Sequence, residues 1–372
     1  MTRYGLVPAL AISAATCIGV GEANSQSFDG ITIIEFSDDA GKQIIASGDH
    51  IITFVSARGS YAAVVGGKGS HGGCQSLAAP GSYTGASISF GIAAEPIVRK
   101  HRLQTYCPPF TIRLENPETV HITSPGDPAS GQKGYEVRQK IVAHIPLRAV
   151  DFESPPFSQH DVKGVRLGPV LNPDGLGGLS APGGSSDRHK YLTRQVEGEK
   201  GRNNVQGQAA AAEVTGWPWD VLYFLQYIEG FKQTSTVDAF DSAVQERYGE
   251  PSSVYEQSGY RLWLYNLDGQ KLALDAVDQD ECRKTIEFWL QSDPLKRVHA
   301  LGWEFNSYDI GPWGCSLVME LNPNRGSGGV TGYSVRAASG YVMAINHFLQ
   351  RVEETTELLG KVQALQGRKP KF

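Results

Sequence analysis

Four of the five cysteines lie beyond the apolar N-terminal segment, in two pairs of equal separation: Cys74 and Cys107 are 33 residues apart, and so are Cys282 and Cys315. An even number of cysteines in an exported chain reads as disulfides, and the equal spacing favours pairing within each pair over the crossed connectivities. Each cross-link would remove about 3 to 4 kcal/mol of chain entropy from the unfolded state, a large share of one domain's net stability. Zinc would need CxxC or HxxxH spacing, which the sequence lacks, and a catalytic thiol would have to escape pairing. No metal is therefore expected.

The reading of an oxidising compartment rests on the first residues. Arg3 precedes an uncharged run from Tyr4 to Val20, and Gly21-Glu22-Ala23 supplies small residues at the positions a signal peptidase reads. Cleavage after Ala23 is expected, giving a mature chain that begins at Asn24 in the periplasm or outside the cell. Lipidation of Cys17 is disfavoured by Thr16 before it. No later stretch approaches the roughly 20 apolar residues that a helical span needs, so the mature chain is expected to have no transmembrane span. A net charge of −5 offers no basic surface for nucleic acid, and the cluster Arg368-Lys369-Pro370-Lys371 reads as a solvated tail.

Length favours two domains. The glycine-dense run from Asp174 to Gly207 has almost no apolar periodicity and reads as a flexible linker or large insertion. The expected division is a signal peptide (1–23), a β-rich domain (28–150), a Gly-rich linker or insertion (151–216), an α+β domain (217–366) and a basic tail (367–372). Within the first domain, Ile51–Ser56 and Tyr61–Val65 flank Arg58-Gly59 as a hairpin. Within the second, Tyr260–Tyr265 and Gln270–Leu274 flank Asp268-Gly269, a strong turn signal. After the second cysteine of each pair come Phe110–Leu114 with Gly134–Arg138, and Leu317–Leu321 with Gly332–Arg336. A hairpin, two cysteines and another hairpin recur in order, which suggests a divergent tandem repeat or a repeated architectural solution. The fold class expected is α+β: a mostly β first domain, then an antiparallel sheet with helices.

Helical spacing is confined to the second half. Val237, Phe240, Val244 and Tyr248 recur on one face, Thr234 to Thr236 can cap the start, and Gly249-Glu250-Pro251 stops the helix. A second amphipathic helix is expected over Tyr341–Leu365.

Sites that carry chemistry are sparse. Gly67-Lys-Gly-Ser-His-Gly72 matches GxGxxG, but Gly73-Cys74-Gln75 leads on to Ala-Pro-Gly rather than into a helix, so no cofactor is expected. Ser70 and His71 supply the only candidate hydrolase pair in the Gly66–Cys74 loop, without a GxSxG elbow. His50, His101, His121, His144 and His160 lack ligand spacing. Aromatic residues offer the better recognition candidates: Trp303, Phe305, Tyr308 and Trp313 lie in a turn-rich segment leading into Cys315. They form either a binding hot spot or core filling beneath the loop, and Trp217 and Trp219 share that ambiguity.

Phe240-Asp-Ser-Ala-Val-Gln-Glu-Arg-Tyr-Gly-Glu-Pro-Ser252, with Tyr260-Arg-Leu-Trp-Leu-Tyr265 and Asp268-Gly269 after it, resembles a module of the BamE/SmpA-like small envelope lipoproteins and the related β-lactamase-inhibitor-protein fold. The shared features are a helix, a Gly-x-Pro turn and a Trp-containing hairpin, over about residues 237–275. Gly164-Val-Arg-Leu-Gly168 before it is similar to an element of exported bacterial proteins of unassigned function, although Pro169 and the glycine-rich run stand where those place a helix. The resemblance implies a protein-binding or envelope-assembly module. The expected function is thus an exported, non-catalytic binding or envelope-associated module whose partner is another envelope or extracellular protein. The alternative is a periplasmic hydrolase using the Gly66–Cys74 loop.

Overall fold

A computed structural model describes residues 30–36, 50–57, 60–67, 75–78, 87–91, 110–124, 134–146, 148–170, 189–210, 220–273, 280–292 and 313–346. These residues are mostly strand, arranged in two antiparallel sheets with four helices. Among them, no helix is long and apolar enough to cross a membrane.

The first sheet runs through β1 (Gly30–Phe36), β2 (His50–Ala57), β3 (Ser60–Gly67), β4 (Gln75–Ala78), β5 (Ser87–Gly91), β6 (Phe110–Asn116), β7 (Thr119–Ser124) and β8 (Tyr135–Pro146). Each strand pairs with the next, and β1 pairs with β8 to close a barrel. Closure leaves no free edge. The hairpin expected around Arg58-Gly59 is present, with Ala57 opposite Ser60. β1 is buried on both faces. Ile31 and Ile33, with Ala143 and Ile145 of β8, join a core that also holds Tyr341 and Val342, while Thr32 on the alternate face is hydrogen-bonded to His144 at 2.9 Å.

The second sheet contains β9 (Gly168–Val170), β10 (His189–Gly198), β11 (Gly201–Ala210), β12 (Asp220–Ser235), β13 (Ser253–Tyr255), β14 (Tyr260–Asn266), β15 (Cys315–Gly326) and β16 (Gly329–Ala338). Its spatial order is β10, β11, β12, β16, β15, β14, β13, with β9 added on β12. Helices α1 (Pro155–Gln159), α2 (Val237–Tyr248), α3 (Glu281–Ser292) and α4 (340–346) interrupt or follow the strands. Strand alternation then sorts two cores. Trp263, Leu317, Met319, Val335 and Ala337 face α1, α2 and the segment between Val162 and Leu167. Leu262, Leu264, Val318 and Ala338 share the other core with Cys282 and Ile286 of α3.

Helix α2 forms where its apolar spacing and caps predict. Thr236 Oγ1 accepts from the Ala239 amide at 3.2 Å, and Gly249 ends the helix at φ 71°, its amide bonded to Gln245 O. Trp263 on β14 is fully buried and donates to Gly249 O at 3.2 Å, so the adjoining strand holds the helix end. The expected Cys282–Cys315 disulfide is present between the start of α3 and the start of β15. It joins two elements within a buried apolar cluster. Cys74 and Cys107 lie outside the described residues, as do 347–365 of the expected terminal helix and the basic tail.

Two further observations bear on the organisation expected from the sequence. Within the span read as a Gly-rich linker or insertion, residues 189–210 form the β10–β11 hairpin, and β11 pairs with β12 inside the sheet. Here a glycine serves packing: a Cβ at Gly207 would lie 2.8 Å from a methyl of Leu222. The same span also contributes α1 and β9. The strands that the two halves share in sequence order also pair differently. In the first half β7 lies between β6 and β8 and pairs with both, whereas β15 and β16 pair directly. Equal cysteine spacing limits loop length but does not choose strand partners. The turn at Asp268-Gly269 is present, but its return is short: Lys271 bridges Tyr265, and β14 pairs along its length with β15 instead.

Candidate functional site

A cleft of about 500 Å³ lies between α2 and the end of β12. It arises from a break in register. β12 matches β16 residue by residue to Gly230, opposite Gly332, but the next partner pair is Ser235 with Val330. Extra residues on one strand bend it and re-aim its side chains. Glu229, Phe231, Gln233 and Ser235, alternate residues of β12, consequently line the cleft. From α2, Phe240 and Val244 are buried, whereas the small Ala239 and Ala243 leave the space open.

The middle of the cleft is aromatic. Phe231, Phe240 and Tyr333 form a triangle with ring centres 6.2, 5.9 and 6.0 Å apart. Such tilted contacts match the edge-to-face preference of aromatic quadrupoles. Burial pushes the Tyr333 phenol upward, and the Tyr248, Tyr227 and Glu229 groups reinforce the shift, so it remains a neutral donor.

One end is polar and built around Glu229, whose side chain is only 2% exposed. Its Oε2 receives Lys163 Nζ at 3.0 Å and the Tyr227 hydroxyl, and its Oε1 accepts from the Glu199 amide at 3.0 Å. Burial alone would raise this carboxyl. The bonds from Tyr227, Lys163 and the Glu199 amide outweigh burial and hold it below the usual carboxylate range. The Tyr227 phenol is pushed upward, first by burial and then by bonding to Glu229. Lys163 reaches the carboxylate from a tight turn in which its own φ is 53°, a left-handed conformation costly for a residue with a side chain. The turn is held by the Val162–Val165 bridge and by Asp161 Oδ1, which accepts from the Gly164 amide at 2.6 Å. Asp161 Oδ2 also receives Arg247 Nη2 of α2 at 2.5 Å. The 161–164 turn is thus tied to both the sheet and the helix by ion pairs.

Behind this end lies a buried histidine. His160 Nδ1 is 2.8 Å from Pro156 O and Nε2 is 3.2 Å from the Tyr265 hydroxyl, which assigns Nδ1–H as donor and Nε2 as acceptor. Burial lowers its pKa against the opposing bonds to Pro156 and Tyr248. It stacks on Tyr248, which lines the cleft, at 6.3 Å. Among the described residues no three His, Cys, Asp or Glu side chains converge as metal ligands.

Of the residues singled out in the sequence, Trp313 is 6% exposed and packs in the core with Tyr341 and Val342. This is the core-filling alternative read for it. Trp303, Tyr308, Ser70 and His71 lie outside the described residues. Sequence reasoning passed over Lys163, Glu229, Arg247 and Tyr333. One signal was available for Glu229, a carboxylate at an inward position of the alternating series Leu225, Tyr227, Glu229, Phe231. No family model matches the chain, and no curated protein or solved structure matches it.

Proposed function

We propose that the chain is an exported, non-catalytic binding module for another envelope or extracellular protein, and that the α2–β12 cleft is its recognition surface. One observation carries the reading: an open cleft joins an aromatic floor to a polar end whose buried carboxylate is already fully bonded. Ligand sites typically combine such apolar walls with a few placed polar groups. A carboxylate held ionised by three donors is a poor general base, since it has nothing to gain from a proton. The resemblance of residues 237–275 to envelope protein-binding modules points the same way.

The test is affinity capture from the native cell envelope with the wild-type chain and with Ala243→Leu, which fills the cleft from an exposed helix position. A partner lost from Ala243→Leu, with thermal unfolding unchanged, supports the reading. Equal capture by both moves recognition elsewhere. A hydrolytic activity that disappears with Ser70→Ala would reject the non-catalytic assignment.

A further inference from the structure

The polar end of the cleft is unbalanced in hydrogen-bonding capacity. An ammonium carries three donors and a guanidinium five. Lys163 Nζ bonds to Glu229 and sits over the Tyr227 ring, 5.1 Å from its centre. Arg247 bonds to Asp161 through Nη2 and lies 5.9 Å from the centre of the Tyr248 ring. Both cations remain accessible, with 35% and 54% of their side-chain surfaces exposed. The carboxylates that pair with these cations are in the opposite condition: both oxygens of Glu229 are engaged, and Asp161 accepts the Gly164 amide through Oδ1 and Arg247 through Oδ2. Glu199, at the exposed rim, accepts the Lys232 amide through Oε2 alone. Both cations thus keep open donors beside carboxylates that are already filled. The chemistry that completes this end is an incoming anion with acceptor oxygens, and a carboxylate matches the planar fork of Arg247.

Beside these cations stands the ring triangle of Phe231, Phe240 and Tyr333, which suits an apolar side chain. In the last residue of a polypeptide, carboxylate and side chain leave the same carbon, so both features can be met at once. The strand run from Glu229 to Ser235 that floors the cleft spans at most roughly 20 Å, longer than a single small acid and suited to several residues of extended chain. Resting on the reading of the cleft as a recognition surface, we propose that it captures the free C-terminus of the partner polypeptide. The terminal carboxylate binds Lys163 and Arg247, and an aromatic or aliphatic last side chain lies on Phe231, Phe240 and Tyr333.

The experiment uses the immobilised full chain and two pools of N-acetylated hexapeptides, random inside and ending in phenylalanine, tyrosine or leucine. One pool has free C-termini; the other is amidated. The free-acid pool should be retained about tenfold better, the usual worth of a charge-assisted hydrogen bond. Arg247→Gln should bring free-acid retention down towards that of the amides, and Ala243→Leu should lower both. If Arg247→Gln loses its fold with the Asp161 contact, Arg247→Lys keeps the charge and removes only the fork, while the acid-to-amide comparison on the wild-type chain needs no variant. Equal retention of both pools, lost together in Ala243→Leu, overturns the carboxylate inference and leaves the cleft reading intact. Retention insensitive to Ala243→Leu, or no retention of either pool, overturns both. 3-Phenylpropionate displacing the peptides at equal concentration would replace the polypeptide terminus by a small aryl acid and reject the proposal.

Discussion

Replacing Lys163 tests the idea that one ion pair organises the polar end of the cleft. Removing one partner of a fully buried pair costs roughly 3 to 5 kcal/mol, because the other charge is left without compensation. Glu229 is fully buried, but Lys163 is 35% exposed and the Tyr227 and Glu199 bonds to the carboxylate would persist. Water and those donors absorb part of the loss. Lys163→Met should therefore destabilise the protein by about 2 kcal/mol. Lys163→Gly loses the same pair but relieves the left-handed backbone at φ 53°, worth roughly 1 kcal/mol, so it should cost only about half as much. Adding Glu229→Gln to Lys163→Met removes the uncompensated charge and should restore part of the stability. Urea unfolding at neutral pH, followed by the fluorescence of buried Trp263, gives the ranking. Lys163→Met within about 0.5 kcal/mol of wild type, or a glycine variant less stable than the methionine one, would refute the reasoning.

The Cys282–Cys315 bond closes a separation of 33 residues, so its replacement by two alanines should cost about 4 kcal/mol by the loop-entropy relation; a loss below about 1 kcal/mol in denaturant titration would show that the unfolded state gains little from opening that loop. His160 makes stability depend on pH. Because burial lowers its pKa in the folded state, the unfolded chain takes up the proton first as pH falls. Its contribution is complete above about pH 6.5 and declines below that value towards the folded pKa. His160→Gln should flatten the slope of stability below about pH 6.5, and an unchanged slope would place the titration on another group.

How far the sequence alone reached depended on the range of the forces involved. Helix α2 was legible because its cap, apolar stripe and stop lie within 14 residues, Thr236 to Gly249, and each acts on its neighbours. The β15–β16 hairpin and the Cys282–Cys315 pairing were similarly local or covalent. The glycine-rich hairpin β10–β11 was not legible as strand because its inward positions hold residues such as Gly207, made small by the approach of Leu222 from β12. That reason lies on another strand. The barrel closure between β1 and β8, the register break that opens the cleft, and the meeting of Lys163 with Glu229 all depend on pairings between distant segments. Sequence determined helix α2, several of the strands and which cysteines stood at matching distances. Tertiary structure decided which faces met, because side chains far apart in the chain acquire a common environment only after the sheets have paired and excluded water.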